Sequence, residues 1–227
     1  MSEDKFNDND NHNRIDGSGA NGEGAVGHDD GRATCTRQGL IFSLSAPSGT
    51  GKSTVADLVV GQTPGIVRSI SLNTRLKRSN EVDGRDYKFV SNEEFYQHVN
   101  AGDLIEFVEV YGSKRGTPVG PLQSNQKQGI DTLCVVEWNG TRRLKSIFGG
   151  AVIAIYLKPP SIETLKKRLI SRNQDSAEEI ALRLASIEEE MTFASEYDYC
   201  VVNDDLAECA LNVASIIRAE RCRVRQW

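Results

Sequence analysis

A chain of 227 residues with 38% apolar and 26% charged side chains can build one α/β domain with a sizeable core, and no stretch of it stays apolar for the length of a membrane span. The formal net charge is −5, but residues 1–31 carry eight acidic and two basic side chains, so the remainder stands at +1. That distribution excludes the basic footprint of a nucleic-acid binder. The five cysteines, Cys35, Cys134, Cys200, Cys209 and Cys222, fit no metal or redox spacing and are expected as thiols of a reducing compartment. His12 and His28 fall in the acidic extension and His98 on an expected helix, which argues against zinc or triad chemistry. The N-terminus lacks the basic and apolar regions of a secretory signal, so a cytoplasmic protein is expected.

Residues 1–34, rich in Asn, Asp and Gly, bury too little to offset ordering entropy and are expected to be a disordered extension of a domain over 35–227. Gly39–Leu44 reads as a buried strand, and a Gly-rich turn leads to a helix over Ser53–Val60. Ile66–Ser71 is a candidate strand, Asn73–Asp86 an irregular charged stretch and Tyr87–Val90 a short strand. Ser91 with Glu94 forms a capping box for a helix to Asn100, stopped by Gly102. Leu104–Tyr111 alternates like a strand with one wet face. Pro118 and Pro121 frame a turn and a helix start. Thr132–Glu137 and Ala151–Leu157 are apolar runs of the kind a parallel sheet buries on both faces. Ser161 opens a helix to Ile170, and Ser176 with Glu179 opens a longer one to Phe193. Tyr199–Val202 is the last strand, Leu206–Arg221 the closing helix, and Arg221–Trp227 a frayed basic end. The expected architecture is a three-layer α/β domain with a segment near 72–120 inserted between core elements.

The chemistry starts at Ala46-Pro47-Ser48-Gly49-Thr50-Gly51-Lys52-Ser53-Thr54. A phosphate-binding loop reads Gly, four residues, then Gly-Lys-Ser/Thr between a strand and a helix; Ala46 departs from it by one methyl. Gly49 and Gly51 let the backbone curl its N–H groups inward, and the helix N-terminus adds partial positive charge. Lys52 can reach the β and γ phosphates of a nucleotide, and Ser53 can offer its hydroxyl to Mg²⁺. No Asn/Thr-Lys-x-Asp motif is present to read a donor guanine.

Other residues suit phosphates or bases. Arg75, Arg78 and Tyr87 could hold a phosphate, or could belong to a solvated loop. Glu106 accepts and Thr117 donates, a pair suited to guanine, although local sequence does not separate it from a surface Glu and Thr. Arg168, Arg172 and Arg183 could neutralise a transferring phosphoryl group, or could be ordinary helix-surface arginines.

Taken together, Ser45–Thr54, Ser71-Leu72-Asn73-Thr74-Arg75-Leu76-Lys77-Arg78, Glu81–Tyr87, Gly116-Thr117-Pro118, Glu196–Tyr199 and Val202–Asp205 resemble the guanylate kinases over about Gly39 to Ile217. The resemblance implies a P-loop kinase fold with a parallel core sheet, an inserted mixed GMP-binding subdomain over 72–120 and a helical lid over 164–190. It implies Mg²⁺-dependent transfer of the ATP γ-phosphoryl to GMP, and to dGMP, giving GDP. ATP would sit on 46–54 and near Asn203. The GMP phosphate would be held by Ser71, Arg75, Arg78 and Tyr87, with Glu81 orienting an insert arginine or the nucleotide. Glu106 and Thr117 would read guanine. Glu137 would face GMP and the metal through water, while Ser53 ligates Mg²⁺. The catalytic charges would be Lys52, Arg78, Arg168, Arg172 and Arg183. The partners implied are small-molecule nucleotides, with no nucleic acid and no membrane, in a monomer or a homo-oligomer. Two rivals share the resemblance: a guanylate-kinase-like binding domain without catalysis, and a kinase of another nucleoside monophosphate.

This chain departs from the pattern in the loop before Gly116, on the strand ending at Glu137, where the second carboxylate is also a longer one, and in the lid. Lys114 and Arg115 stand where tyrosines are usual, and Arg115 could replace a phenol contact to the acceptor phosphate with a charged one. Val135 replaces a carboxylate on the strand that ends at Glu137. Asn173 replaces a lid glycine.

Overall fold

The computed structural model describes residues 37–47, 49–79, 81–110, 112–171 and 193–224. A five-stranded, wholly parallel sheet is built from β1 (Ile41–Ser45), β2 (Ile66–Arg68), β7 (Asp131–Val135), β8 (Val152–Lys158) and β9 (Tyr199–Val202), in the order β2-β7-β1-β8-β9. A second, mixed sheet holds β3 (Leu72–Asn73), β4 (Lys88–Phe89), β5 (Leu104–Val110) and β6 (Ser113–Pro118), in the order β4-β3-β6-β5. The described helices are α1 (Lys52–Gln62), α2 (Asn92–Ala101), α3 (Val119–Lys127), α4 (Trp138–Phe148), α5 (Ile162–Ser171) and α6 (Leu206–Cys222).

Strand β1 is buried throughout, because it lies centrally with β7 on one side and β8 on the other. Its side chains alternate between two cores, as strand pleating requires. Phe42 and Leu44 join Val55 and Val59 of α1 and Val213 and Ile217 of α6. Ile41 joins Cys134, Val136, Leu122 of α3 and Leu144 of α4 on the opposite face. Helices therefore cover both faces and give the three layers. A third core, Leu72, Val90, Phe95 and Leu104, holds α2 on the mixed sheet.

The Ser91 signal is realised: its side chain accepts from the Glu94 N–H at 3.0 Å, and Gly102 ends α2 in a left-handed conformation at φ 67°. Three elements differ from the sequence expectation. Ser113–Pro118 is a strand, made so by pairing with β5 and β3 rather than by its own composition. Helix α4 begins directly after Glu137, with no side chain of its own as N-cap. Arg221 is not in a frayed end; it lies in α6 and donates to Asp131 Oδ2 at 2.7 Å. Asp131 is fully buried, and its Oδ1 accepts from Arg37 at 2.8 Å and from the Leu40 N–H at 2.7 Å. This carboxylate ties the entry to β1, the start of β7 and the end of α6 together. The expected extension 1–34, the helix expected to open at Ser176 and Asn173 lie outside the described residues.

Candidate active site

The loop between β1 and α1 is shaped by two left-handed glycines, Gly49 at φ 88° and Gly51 at φ 87°, a region that costs other residues energy. Thr50 closes the turn by donating its hydroxyl to the Pro47 carbonyl at 2.6 Å. Lys52 Nζ reaches back over the loop and donates to the Ala46 carbonyl. Ala46 itself is buried in the core beside α1, so the methyl that departs from the Gly pattern is absorbed by packing. The Ser53 side chain is exposed in the first turn of α1. Asn203 is fully buried in the turn between β9 and α6, with its amide donating to the Thr50 carbonyl. It props the loop from beneath, and Leu206 packs close to Gly51.

Carboxyl ends of parallel strands are where such sheets hold ligands. The loop follows β1, and Glu137 follows the neighbouring strand β7, so the two stand side by side. The mixed sheet faces them. A cleft of about 150 Å³ is lined by Lys52, Ser53, Ser71, Glu106, Val108, Arg115, Gly116, Thr117, Val135, Val136 and Glu137. Seven of the candidate site residues, Lys52, Ser53, Ser71, Glu106, Arg115, Thr117 and Glu137, therefore share one cavity, contributed by α1, the approach to β3, β5, β6 and the end of β7.

Glu106 is turned into this cleft by an irregularity. Leu104 pairs with Pro118 and Phe107 with Gly116, so three steps along β5 match two along β6. The extra residue re-aims the strand, as bulges do. The carboxylate comes to the first turn of α4, where the backbone N–H groups of Glu137 and Gly140 bond to it. Burial, with Glu137 nearby as a secondary cause, pushes Glu106 up to about 7; Lys52 and the two N–H groups oppose the rise. Gly140 makes the approach feasible, since a Cβ there would lie 2.2 Å from Glu106 Oε2. Gly140 was not among the sequence candidates; with no helix expected around it, it carried no local signal. Ser71 Oγ and Thr117 Oγ1 share a hydrogen bond at 3.0 Å beside Glu106.

Arg75, Arg78, Glu81 and Tyr87 are not cleft-lining residues but form a cluster at its edge. Arg75 donates to both Glu81 oxygens, at 2.7 and 2.5 Å, and Glu81 also accepts the Arg78 N–H at 2.9 Å. These bonds hold Glu81 down at about 2, Arg75 being the larger cause. Arg75 and Arg115 both approach the Tyr87 ring, at 5.5 and 5.2 Å from its centroid. Ser48, Arg172 and Arg183 lie outside the described residues, as does the side chain of Arg168, which falls on α5. A wider groove of about 500 Å³ runs between β9 and α6, but its lining includes Asp204, Asp205 and Glu208, which would repel phosphates.

A strand–loop–helix phosphate cradle at the carboxyl ends of a parallel sheet, facing a carboxylate–hydroxyl pair on a second sheet, defines a P-loop kinase. Residues 38–220 match the family model described as guanylate kinase. The chain is 42% identical to a guanylate kinase of Rhodopseudomonas palustris, covering 82% of this chain and 85% of that one. It is 43% identical to a guanylate kinase of Cereibacter sphaeroides, covering 82% and 89%. The crystal structure of guanylate kinase from Anaplasma phagocytophilum superposes with a TM-score of 0.67 at 33% identity, over 83% of this chain and 89% of that one. The chain belongs to the guanylate kinase family.

Proposed function

We infer that this protein is an ATP:GMP phosphotransferase, producing ADP and GDP. The observation that carries the reading is that Lys52 and Ser53 of the phosphate loop and the Glu106/Thr117 pair line one cleft, in a chain of this family. A donor nucleotide on 46–54 would present its γ-phosphoryl toward the mixed sheet. A GMP base beside Glu106 and Thr117 would then put its phosphate between the two. An ionised phosphate oxygen is already a nucleophile, so transfer asks the protein for alignment and charge neutralisation rather than for a strong base.

Lys52 is the described cation placed to neutralise the donor phosphates. Arg168, Arg172 and Arg183, within a lid over 164–190, are proposed to add charge from above, on the strength of the family resemblance. Ser71, just before the insert over 72–120, and Arg75, Arg78 and Tyr87 within it are proposed to belong to the acceptor phosphate. Mg²⁺ fits the donor chemistry of the cleft. Ser53 offers a hydroxyl, and Glu137 a carboxylate able to act through water, a hard-oxygen set suited to an ion held mainly by phosphates and water. When bound, Mg²⁺ would offset charge on the β and γ phosphate oxygens. The contacts assigned to the acceptor involve base and phosphate, so dGMP is proposed as a second acceptor. Cys134, Cys200, Cys209 and Cys222 are free thiols, in keeping with a cytoplasmic setting, and no described helix is long and apolar enough to cross a membrane.

The test is a coupled ATP/Mg²⁺ assay across GMP, dGMP, AMP, CMP and UMP. GMP is expected to be the best acceptor. Turnover with none of them would overturn the reading in favour of a binding domain, and a preference for another base would reassign the acceptor. Glu106→Ala should weaken GMP far more than ATP, and an equal loss of both would remove Glu106 from base recognition.

A further inference from the structure

Helix α4 starts at the cleft without a cap of its own. Its first residue, Trp138, follows Glu137 directly, and the Glu137 side chain does not bond the helix N-terminus. Glu106 holds the first turn from one side, through the N–H groups of Glu137 and Gly140. A second hold comes from outside the cleft. The Trp138 ring stacks on Phe193, with centroids 3.9 Å apart and planes inclined by 26°. The Arg142 guanidinium, one turn further along α4, lies 4.0 Å from the Trp138 ring centroid. Arg142 also donates to both Glu196 oxygens, each at 3.0 Å, and holds that carboxyl below its ordinary value. Phe193 and Glu196 belong to one short 3₁₀ turn, Phe193–Glu196. The contacts therefore close a ring: from indole to phenyl, along the turn to the carboxylate, and back through the guanidinium to the indole.

This ring is fastened to a different strand from the one that leads to Glu137. Lys145 of α4 donates to the Glu196 carbonyl at 3.1 Å and to Asp198 Oδ1 at 3.3 Å. Asp198 Oδ2 accepts the Ala154 N–H of β8 at 2.7 Å, and the Asp198 N–H donates to the Ala154 carbonyl at 2.9 Å. Trp138 is thus referenced to β8, while Glu137 stands just past the end of β7. Trp138 and Phe193 are half-buried and belong to none of the three apolar cores, so core packing does not account for their contact.

We propose that Trp138 is a positioning residue: gripped by Phe193 and by the Arg142–Glu196 pair, it fixes the direction in which the adjoining Glu137 carboxylate enters the cleft. The proposal rests on the GMP-kinase reading and deepens it. Glutamate has one more rotatable bond than aspartate, so a carboxylate on this longer arm needs a firmly held backbone. Transfer is sensitive to misplacement of about an ångström. The cradle and the base-reading pair are supplied by other elements, so a lost grip should lower turnover more than it weakens either nucleotide.

The experiment is steady-state kinetics of the full chain and of Trp138→Ala, Trp138→Phe, Arg142→Gln and Glu137→Gln, with Trp138→Ala and Arg142→Gln each repeated in the Glu137→Gln background. Trp138→Ala is expected to lower kcat by about tenfold or more and to leave KM for GMP and for ATP within about threefold. Trp138→Phe, which keeps a stacking ring, should recover most of that loss. In the Glu137→Gln background Trp138→Ala should cause little further loss, because a residue that acts through Glu137 has nothing left to place. Arg142 is exposed, so Arg142→Gln removes the Glu196 link without disturbing a core. It should lower kcat by about threefold and show the same lack of additivity. If Trp138→Ala does not fold by circular dichroism, the Arg142→Gln pair decides in its place. A parental kcat in Trp138→Ala, Arg142→Gln or Glu137→Gln would overturn the proposal, as would losses that simply multiply in the double variants. An unsubstituted chain that does not phosphorylate GMP overturns the functional reading and this inference with it. A competent parent with multiplying losses overturns the inference alone.

Discussion

The Glu106 carboxylate occupies the space that a side chain at position 140 would fill: a Cβ on Gly140 would come within 2.2 Å of Glu106 Oε2 and 2.8 Å of Val136 Cβ. Glu106 thereby serves the first turn of α4 from another element, taking up N–H groups that Glu137 leaves without a side-chain cap.

Gly140→Ala should displace that carboxylate. The expected outcome is a loss of about 1–3 kcal/mol of stability, from overpacking beside Val136, together with a raised KM for GMP and a nearly unchanged KM for ATP. Urea unfolding and separate titrations of the two nucleotides measure both effects. If KM for GMP stays at the parental value, Glu106 and Gly140 are not coupled in recognition.

The raised Glu106 sets opposite pH trends for stability and binding. Its ordinary value is 4.5 and its folded value about 7, so between these limits the folded state holds the extra proton. Stability from this group is therefore present at the acidic end of the window and is lost as pH rises through about 7, by an amount on the order of 3 kcal/mol. The proposed base-reading role of Glu106 uses the ionised form, so GMP recognition should strengthen over the same rise. Glu106→Gln should abolish the stability slope in chemical denaturation at several pH values. A slope that persists in this variant belongs to another group.

Lys52 is the cradle's own cation, tethered to the Ala46 carbonyl across the loop. Lys52→Ala should remove transfer while the circular dichroism spectrum and unfolding midpoint stay near parental, since the side chain is not part of any of the three apolar cores. Turnover above about a tenth of the parental rate would take Lys52 out of the catalytic set.

Asp131 is the structural counterpart at the far end of the sheet. Its buried carboxylate is shared by Arg37, Arg221 and the Leu40 N–H. Asp131→Ala should cost about 3–5 kcal/mol, because both arginines and the amide lose their acceptor at once. Denaturant unfolding reads this directly, and a loss below about 1 kcal/mol would mean that water replaces the carboxylate without penalty.

The parts of the fold that were legible are those with local causes. The apolar runs of β1, β7 and β8, the Ser91 cap with its Gly102 stop, and the Gly49/Gly51 loop carry their instructions within a few residues. Helix α4 was not legible because its N-terminus is served by Glu106 across space and it carries no capping residue of its own. Strand β6 was not legible because Ser113-Lys114-Arg115-Gly116-Thr117-Pro118 lacks apolar alternation and owes its conformation to β3 and β5. The alternation of Leu104–Tyr111 predicted a strand with its acids in water; the bulge inside β5 turns Glu106 into the cleft instead.

By itself, the sequence determined that a phosphate loop stands between a strand and a helix, and which residue types were available to face it, because loop conformation and strand burial follow from neighbours along the chain. Only the tertiary structure decided that Glu106 would meet Gly140, that Glu81 would claim Arg75, and that Arg115 would be the arginine left facing the cleft. Those outcomes depend on strand register, on a one-residue bulge and on which charges come within hydrogen-bonding distance, and none of these is a property of any single segment.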